Sequence, residues 1–592
     1  MKGETIFKGH FVQGEERVIE LASFRPIGEK KGDVDVFYSF DGQTFFPNPA
    51  LNQTALFLKI RAKLDTDVEV LEGDGFVVTK DEGLSKKFEH SHIWSGADGI
   101  YSFNLSRKED YNQKDDPTLF LFGDTFIGES LPSKKRLEPT KMVNNTVCYK
   151  KGDAYDFFVN RDENGAFISC FEVPFPLTKI GYLAENLTRD LGKQIPQKPY
   201  LSSLGEKDNP VLTFDLHGRY ALKAIAIANF FDDSYGLEES YRRGAKEVRL
   251  SFSLDGVHYI HHSTLKLNEN QSGHLSEQFL LDGMEAAFVR LELIRKEGLT
   301  PSDDCVGLNQ VLFFDEEGLL SDVACFSNSL SAFETVKSWF WLQDGFVKGD
   351  TFYVYPEIVQ EELNGIEGFE FKIAGVVEAK IPLKNGRLEW EKVSIRQVPF
   401  YLLEDDCETI LGPAVLDNRD QDGYLYFYGY RNDRKNFLRS MIVSRIREED
   451  LGNYNELRYF DGEGWSRDIR KAKALIPHVS TEMSVIPLKE GPWKGKYLAN
   501  FEYDSIGKWT CYCVMDTPFG PFGPVCPIYY TPELDRYTKT TYTYNAKAHL
   551  HLSEPSKILV SYNVNDMSMK ANKDDYTIYH PRFLWLTPNS SL

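Results

Sequence analysis

The sequence lacks the features that mark several special classes of protein. No apolar run reaches the roughly 18 residues that a membrane-spanning helix needs, and the first residues carry no apolar stretch of the kind that directs secretion. The 592 residues include only 8 cysteines and no CxxC pair, which argues against a disulfide framework. We therefore expect reduced thiols in a cytoplasmic protein, or a secreted protein if a leader has been removed.

Basic charge is also scarce. The chain has 68 Lys and Arg against 89 Asp and Glu, a formal net charge of −21. It contains no cluster of basic residues that could form a stripe along a phosphate backbone or an anionic membrane surface. These properties predict that neither nucleic acid nor a membrane is a partner.

The common signatures of metal and cofactor binding are missing. There is no HExxH motif, no Cys/His ligand spacing and no EF-hand loop. There is also no Gly-rich phosphate loop and no GxSxG nucleophile elbow. The sequence therefore indicates no cofactor and no metal.

What the sequence has in abundance is strand signals. Aromatic residues make up 14% of the chain, and short alternating or fully apolar runs recur between Asp-Gly, Asn-Gly and Gly-Pro turns. Long helical periodicity is nearly absent. A chain of this length is expected to form two to four domains. We predict an all-β, multidomain protein.

Residues 199–320 have the pattern of a separate β-sandwich. Apolar strands at 211–216, 247–254, 286–293 and 306–314 surround a Ser-Leu-Asp-Gly turn at 253–256. The order of these segments closely resembles discoidin-type domains, which often bind glycans through the loops at one end. For this region, glycan binding and a purely structural role both remain open.

The remaining chain divides into repeated units. Five units of about 50–70 residues share a polar corner, an apolar strand, a Gly/Asp turn and a second strand, which predicts a five-bladed β-propeller. The predicted domains are an N-terminal β region (1–88), blade one with a connection (89–198), the sandwich insert (199–320) and blades two to five (321–592).

Two acidic motifs close together in sequence are the strongest signs of a site. They are WSGADG at residues 94–99 and LFGDTFIG at 121–128, and each has an Asp next to Gly. A carboxylate beside Gly at the end of a strand leaves room for a ligand to approach. Two such groups indicate paired-carboxylate chemistry, as in glycoside hydrolysis.

These motifs resemble those of five-bladed propeller glycoside hydrolases, the group that holds invertases, levansucrases and arabinanases. The closer resemblance is to a bacterial propeller family of unknown function, some of whose members are endo-D-arabinanases. Five segments carry it: 96–99, 122–126, 144–146, 517–522 and 546–549. The resemblance implies a glycoside hydrolase that acts on a furanoside-containing or related oligosaccharide or polysaccharide in the propeller funnel.

The expected catalytic residues are Asp98, Asp124 and Glu482. Asp98 is predicted to be the nucleophile or base, and Glu482, whose neighbours Met483 and Val485 would favour its protonated form, the acid. Asp124 would be a second catalytic carboxylate or a ligand of sugar hydroxyls. By resemblance, Asp98 and Asp124 could themselves be the essential pair. The predicted substrate-binding residues are Trp94, Asp344, Trp341, Arg431, Asn545, Lys547 and His549.

Several alternatives stay open. Trp94 and Trp341 could belong to the core, His549 could be a structural histidine, and Glu482 could be an ion-pair partner of Arg431. A non-catalytic glycan-binding protein would lack matched acids. A glycoside phosphorylase or a transglycosylase of the same fold is a further alternative, and a phosphorylase would use Lys547, His549 and Arg431 to hold phosphate. A homo-oligomer is also left open.

Overall fold

The computed structural model describes residues 5–40, 42–47, 53–73, 75–106, 109–188, 198–205, 208–272, 276–298, 304–366, 369–535 and 537–589. Residues 1–4, and residues 189–197 of the predicted connection, lie outside these ranges. The architecture is all-β, as predicted. No helix in the described ranges has both the length and the apolar character to cross a membrane.

The N-terminal strands form one end of a ten-stranded sheet, whose other strands span residues 76–80, 541–548, 558–566 and 581–588. The order at this end is β4-β3-β5-β2, with β6 joining β2 to β1, and the inward-facing residues of these strands form a core of their own. The strands are β1 (Thr5–Phe11), β2 (Glu16–Lys31), β3 (Val34–Ser39), β4 (Phe46–Pro47), β5 (Gln53–Ala62) and β6 (Thr66–Glu72).

The next strands form the first of five units that we number as sheets, the fifth of which is the other end of the ten-stranded sheet. After β7 (Phe76–Lys80) and the short helix α1 (Glu82–Lys87), the chain forms two antiparallel groups, β14-β13-β10-β9 and β12-β11-β8. Strand β10 is buried on both faces, which accounts for its unbroken apolar sequence. The strands are β8 (His92–Ala97), β9 (Tyr101–Asn104), β10 (Thr118–Phe122), β11 (Thr125–Glu129), β12 (Lys141–Val143), β13 (Thr146–Lys151), β14 (Ala154–Phe158), β15 (Asn160–Arg161) and β16 (Phe167–Ile168).

A separate seven-stranded sheet follows, and it lies in sequence between the first and second of the five sheets. Its long strands β19 and β22 pair along most of their length, interrupted by register shifts, and its buried residues form one core. The elements are β17 (Lys179–Gly181), β18 (Tyr200–Leu201), β19 (Val211–Asn229), α2 (Leu237–Arg243), β20 (Glu247–Ser253), β21 (Ile260–Lys266), β22 (Glu277–Ile294), β23 (Gly307–Phe314), β24 (Ala324–Ser327) and β25 (Phe333–Thr335), of which β17 and β25 pair with each other instead.

The second and third of the five sheets are also antiparallel. The second has the order β26-β29-β30-β28-β27, with β31 and β32 on β30, and the third runs β33 to β38 in sequence order. The elements are β26 (Ser338–Trp341), β27 (Gly345–Lys348), β28 (Thr351–Val354), β29 (Glu357–Ile366), β30 (Phe369–Lys384), β31 (Arg387–Leu388), β32 (Ser394–Val398), β33 (Tyr401–Glu404), β34 (Cys407–Asn418), α3 (Arg419–Asp422), β35 (Tyr424–Asp433), β36 (Leu438–Arg447), β37 (Arg458–Phe460) and β38 (Trp465–Ser466).

The fourth and fifth sheets complete the chain. The fifth closes on the N-terminal part, because β7 pairs with β45. The elements are β39 (Met483–Pro487), β40 (Tyr497–Glu502), β41 (Trp509–Met515), β42 (Cys526–Tyr530), β43 (Thr541–Ala548), β44 (Ile558–Asp566), α4 (Met569–Asp574) and β45 (Pro581–Pro588). Short 3₁₀ helices span Phe175–Thr178, Ala184–Thr188, Trp390–Lys392, Glu448–Asp450, Tyr454–Glu456, Ile469–Lys471 and Pro532–Asp535.

The five sheets pack against one another in cyclic order. One apolar cluster joins the first sheet to the second, another joins the second, third and fourth, a third joins the fourth to the fifth, and a fourth joins the fifth back to the first. Representative members, in that order, are Leu121 with Phe340, Tyr355 with Phe427 and Phe501, Leu498 with Leu584, and Phe120 with Phe583. All eight cysteines are free, as the sequence indicates.

Candidate active site

The first sheet contains three places where one strand ends and the next strand of the chain begins after a short kink, and these three kinks lie side by side. Asp98 lies between β8 and β9, Asp124 between β10 and β11, and Asn144 between β12 and β13. Backbone hydrogen bonds join the first two kinks, from Gly123 N to Asp98 O over 2.9 Å and from Asp98 N to Asp124 O over 3.3 Å. The kinks therefore set the three polar side chains side by side, at positions where the chain has left regular pairing.

Two glycines make this arrangement sterically feasible. Gly123 faces Asp98 so closely that a Cβ there would lie 2.6 Å from Asp98 Oδ1. Gly96 has a φ of 126°, and a Cβ on it would lie 1.8 Å from the carbonyl oxygen of Tyr579. The glycines of the two motifs thus serve close backbone approach, the role that glycine fills best.

Asp98 is a half-buried carboxylate with hydroxyl donors around it. Tyr544 Oη donates to Asp98 Oδ2 over 2.5 Å. Burial raises the pKa of Asp98 to about 7, the charges of Asp124 and Glu482 raise it further, and hydrogen bonds from Tyr544 and Tyr579 oppose the rise. Asp98 is therefore poised to exchange a proton near neutral pH.

Asp124 is half-buried next to Asp98 but has different donors. Asn144 Nδ2 donates to its Oδ1 over 3.1 Å. Burial raises the pKa of Asp124 to about 6, while hydrogen bonds from Asn144 and Trp341 lower it. Both donors stabilise the ionised form of Asp124, as the two hydroxyls do for Asp98. The pKa of Asp98 is the higher of the two because the charge of Asp124 raises it further.

Glu482 reaches the same place from the fourth sheet. Its Oε2 accepts a hydrogen bond from Lys547 Nζ of the fifth sheet. A Cβ on Gly99 would lie 3.8 Å from Glu482 Oε1, which places this carboxylate beside the Asp98 turn. Glu482 therefore pairs with Lys547 and not with Arg431. The sequence predicts apolar surroundings that favour a protonated Glu482, whereas a neighbouring ammonium group favours the ionised form.

Lys547 supplies positive charge to this cluster of predicted site residues. Its side chain is 2% exposed, and its ammonium nitrogen lies 4.1 Å from the centre of the Tyr101 ring. Burial lowers the pKa of Lys547, whereas Glu482, Asp98 and Asp344 raise it. Its charge therefore serves several carboxylates at once.

Asp344 ties the second sheet to the third. Its Oδ2 accepts from Val415 N over 2.7 Å and its Oδ1 from Gly345 N over 2.8 Å. Burial nevertheless raises the pKa of Asp344 to about 7. The carboxylate is half-buried and lies within electrostatic reach of Lys547, at the edge of the same cluster.

Asn545 lies on β43 and His549 directly follows that strand, and both side chains are buried. His549 lies between two hydroxyls, with Ser102 Oγ 2.7 Å from Nδ1 and Ser561 Oγ 2.8 Å from Nε2. Burial lowers the pKa of His549 to about 3, so the ring is neutral and bridges the first and fifth sheets. Asn545 has a φ of 60° in the bulge between Tyr544 and Lys547, a conformation that Asn adopts more readily than most residues.

Two predicted binding residues make their contacts elsewhere. Trp94 is 2% exposed, donates from Nε1 to Thr146 Oγ1 over 3.0 Å and packs in the cluster between the first and fifth sheets. Such burial suits the core, the alternative that the sequence left open. Arg431 pairs with Glu404 at 3.4 Å and donates to Cys407 Sγ, on the third sheet. Trp341 does reach the cluster, through Asp124.

Several members of the cluster are absent from the sequence-based set. They are Tyr544 and Tyr579 beside Asp98, Asn144 beside Asp124, and the residues Tyr101, Gln343 and Glu357. The last three form a chain of hydrogen bonds: Tyr101 Oη donates to Gln343 Oε1 over 2.9 Å, and Gln343 is hydrogen-bonded to Glu357. Burial and the charge of Glu482 raise the pKa of Glu357 to about 8. Of these residues, only Asn144 was marked in the sequence, because it lies in the segment 144–146 that carries part of the family resemblance.

The described residues contain no group of three or more His, Cys, Asp or Glu arranged to hold a metal ion. The cluster instead offers half-buried carboxylates of different acidity with hydroxyl, amide and ammonium donors around them. Such a set of groups can donate a proton to an oxygen of a bound molecule, while an ionised carboxylate attacks a carbon of that molecule or activates a water.

Comparison with known proteins gives one sequence-family match. Residues 321–588 match the model of DUF5005, a domain of unknown function. No curated protein matches the chain.

Three solved structures show limited similarity. A presumed hydrolase from Bacteroides ovatus has 13% identity and a TM-score of 0.44 over 86% of this chain and 90% of that one. CBM32-3 from a family 31 glycoside hydrolase of Clostridium perfringens has 15% identity and a TM-score of 0.16 over 25% and 96%. A fucolectin from striped bass serum has 10% identity and a TM-score of 0.13 over 55% and 86%. With TM-scores below 0.5, none of the three establishes a shared fold.

Proposed function

We propose that this protein is a glycoside hydrolase whose five cyclically packed sheets are the blades of a β-propeller. Its substrate would be a furanoside-containing or related oligosaccharide or polysaccharide, as the sequence resemblance implies. The observation that carries the proposal is the pair Asp98 and Asp124, two adjoining half-buried carboxylates with pKa values raised to about 7 and about 6. Glycosidic cleavage needs two carboxyl groups in different protonation states.

The surroundings of the pair suggest a division of labour. Asp98, the weaker acid, would donate its proton to the leaving glycosidic oxygen. Asp124 would act in its ionised form as the nucleophile or base, supported by N–H donors from Asn144 and Trp341. The sequence predicts Asp98 as the nucleophile or base and Glu482 as the acid. In this proposal Asp98 is the acid and Glu482 has no proton-transfer role.

Glu482 would then support the reaction through Lys547. The ion pair holds the ammonium group at the Tyr101 ring, close enough to Asp98 and Asp344 to act on both. In this position Lys547 would donate to a sugar hydroxyl, while Glu482 and Asp344 would accept from hydroxyls. Asn545, in its bulge on the same strand, would contribute an amide to binding.

Phosphorolysis has less support from these contacts. Of the three cations expected to hold phosphate, Lys547 is paired with Glu482, His549 is neutral with a pKa of about 3, and Arg431 is paired with Glu404. The surrounding carboxylates would repel a phosphate anion. Hydrolysis, with water as the acceptor, needs no such cation.

The test is turnover of arabinan, D-arabinan, levan and inulin, measured as released reducing sugar with and without inorganic phosphate. Asp98→Asn and Asp124→Asn should each lower kcat by at least about 10³-fold, because each removes one member of the catalytic pair. The matched control is Asp153→Asn, at a fully exposed position. Normal turnover in either variant, or no wild-type turnover with binding intact, would overturn the proposal.

A further inference from the structure

A cavity lies beside the strand pairing that closes the fifth sheet. It has a volume of about 390 Å³ and is lined by residues of β7, α1, β44 and β45, together with the 3₁₀ helix Pro532–Asp535. None of the three predicted catalytic carboxylates lines it. It is therefore a separate space from the site around Asp98.

The two cations nearest Glu533 in this cavity approach it without direct hydrogen bonds, whereas Lys86 Nζ donates to Glu89 Oε1 over 2.5 Å. Lys80 Nζ and Arg582 Nε both lie 3.7 Å from Glu533 Oε1, and His580 Nε2 lies 3.9 Å from Glu89 Oε2. These separations exceed hydrogen-bonding distance. A ligand hydroxyl, which donates once and accepts twice, can satisfy a carboxylate and a cation together.

Glu533 is the most strongly desolvated carboxylate of the cavity. It is 4% exposed, and Tyr562 Oη donates to its Oε1 over 3.0 Å. Its Oε2 is buried and has no hydrogen-bond donor among the described residues. A buried carboxylate with one oxygen unsatisfied gains from any ligand or water that brings a further donor to it.

The balance of charge selects the class of ligand. Four cations, on Lys80, Lys86, Lys134 and Arg582, stand against three carboxylates, on Glu82, Glu89 and Glu533. Burial holds the pKa of His580 well below its usual range, so that ring adds no charge. Carboxylates disfavour an anionic ligand and cations a cationic one, whereas a neutral polyol can use both. The rings of Tyr537, Tyr562 and Phe583 add aromatic surface.

We propose that this cavity is a second saccharide-binding site that takes a neutral mono- or disaccharide. Its volume falls in the range of small-ligand pockets. It also borders the segment that carries Tyr579, because Arg582 donates to the carbonyls of Thr577, Ile578 and His580. A bound sugar would thereby steady the segment that presents Tyr579 to Asp98 and Asp124. The site does not depend on the proposed hydrolase activity.

The experiment is hydrogen exchange of the full chain with D-arabinose, L-arabinose, D-fructose, D-glucose, D-galactose and sucrose as separate probes. Residues 82–89 are the reporter, because Glu82, Ser85, Lys86 and Glu89 line the cavity and none of the three predicted catalytic carboxylates does. At least one sugar should slow exchange there. Glu533→Gln and Lys80→Met should each weaken that protection by about tenfold in sugar concentration.

Two controls separate this site from the other one. Glu449→Gln, at an exposed position, should leave the protection unchanged. Sugar-dependent protection around residues 98–102, if it occurs, should survive Glu533→Gln, so failure at one site is distinguishable from failure at the other. The proposal is overturned if no sugar protects residues 82–89, if both variants retain full protection, or if inorganic phosphate protects them and the sugars do not.

Discussion

Tyr544 Oη donates a 2.5 Å hydrogen bond to Asp98 Oδ2 across 446 residues of sequence. The contact joins the fifth sheet to the first and brings an uncharged donor to Asp98, whose pKa burial raises to about 7. Tyr579 acts in the same direction from the segment before β45. The acidity of Asp98 is thus set by parts of the chain far from its own motif.

Removing the Tyr544 hydroxyl should shift the pH dependence of turnover. The Tyr544→Phe variant loses a donor that stabilises ionised Asp98, so the pKa of Asp98 should rise above about 7, by roughly 1 unit. The basic limb of the kcat/KM profile should move to higher pH by the same amount. The neighbouring Tyr542→Phe variant, which loses no hydrogen bond to Asp98, is the control. An unmoved basic limb would exclude Asp98 as the titrating acid.

A methyl group at Gly123 should disturb Asp98 without unfolding the protein. The added Cβ would lie 2.6 Å from Asp98 Oδ1, so the carboxylate must move. Gly123→Ala should lower kcat by about 10²-fold, the loss typical of a misplacement near 1 Å. Gly464→Ala is the matched control, since its nearest neighbour atom would be 4.0 Å away. Equal activities in the two variants would show that the Asp98 position is not critical.

The Lys547–Glu482 pair should show strong coupling in stability. Lys547→Met leaves Glu482 without its cation, and Glu482→Gln leaves a buried ammonium, so each single change should cost about 3–5 kcal/mol of unfolding free energy. The double variant should cost clearly less than the sum, because no unpaired charge remains. Urea unfolding of the four proteins measures this. Additive losses would mean that the two groups do not depend on each other.

The all-β class of fold, and the approach of Asp98 and Asp124 in the candidate site, were predictable because they rest on local patterns. Short apolar runs between turns indicated an all-β chain, and Gly beside Asp98 and Asp124 marked positions of close approach. The pairing of Glu482 with Lys547 and the burial of Trp94 were not predictable, since they depend on which sheets become neighbours. Tyr544, Tyr579 and Glu357 carry no local mark at all. They belong to the cluster only because their side chains point into the space where separate sheets come together.

Stability should fall as pH rises through the neutral range. Burial raises the pKa of Asp98 and Asp344 to about 7, of Glu502 to about 7 and of Glu357 to about 8. A carboxyl whose folded pKa exceeds its unfolded value near 4 stabilises the fold fully below pH 4, and this contribution is lost progressively up to the folded pKa. The melting temperature should therefore decrease between about pH 5 and pH 8.

Glu357→Gln isolates one part of that dependence. The amide resembles the protonated carboxyl in shape, so at pH 5 the variant should be nearly as stable as the wild type. At pH 8 it should be more stable by up to about 4 kcal/mol, because the wild-type fold must keep a proton on Glu357 or bury its charge. Thermal unfolding at both pH values measures the difference, with Glu449→Gln as the exposed control. A variant that loses equal stability at both pH values would show that Glu357 is ionised in the fold and serves as a charged partner.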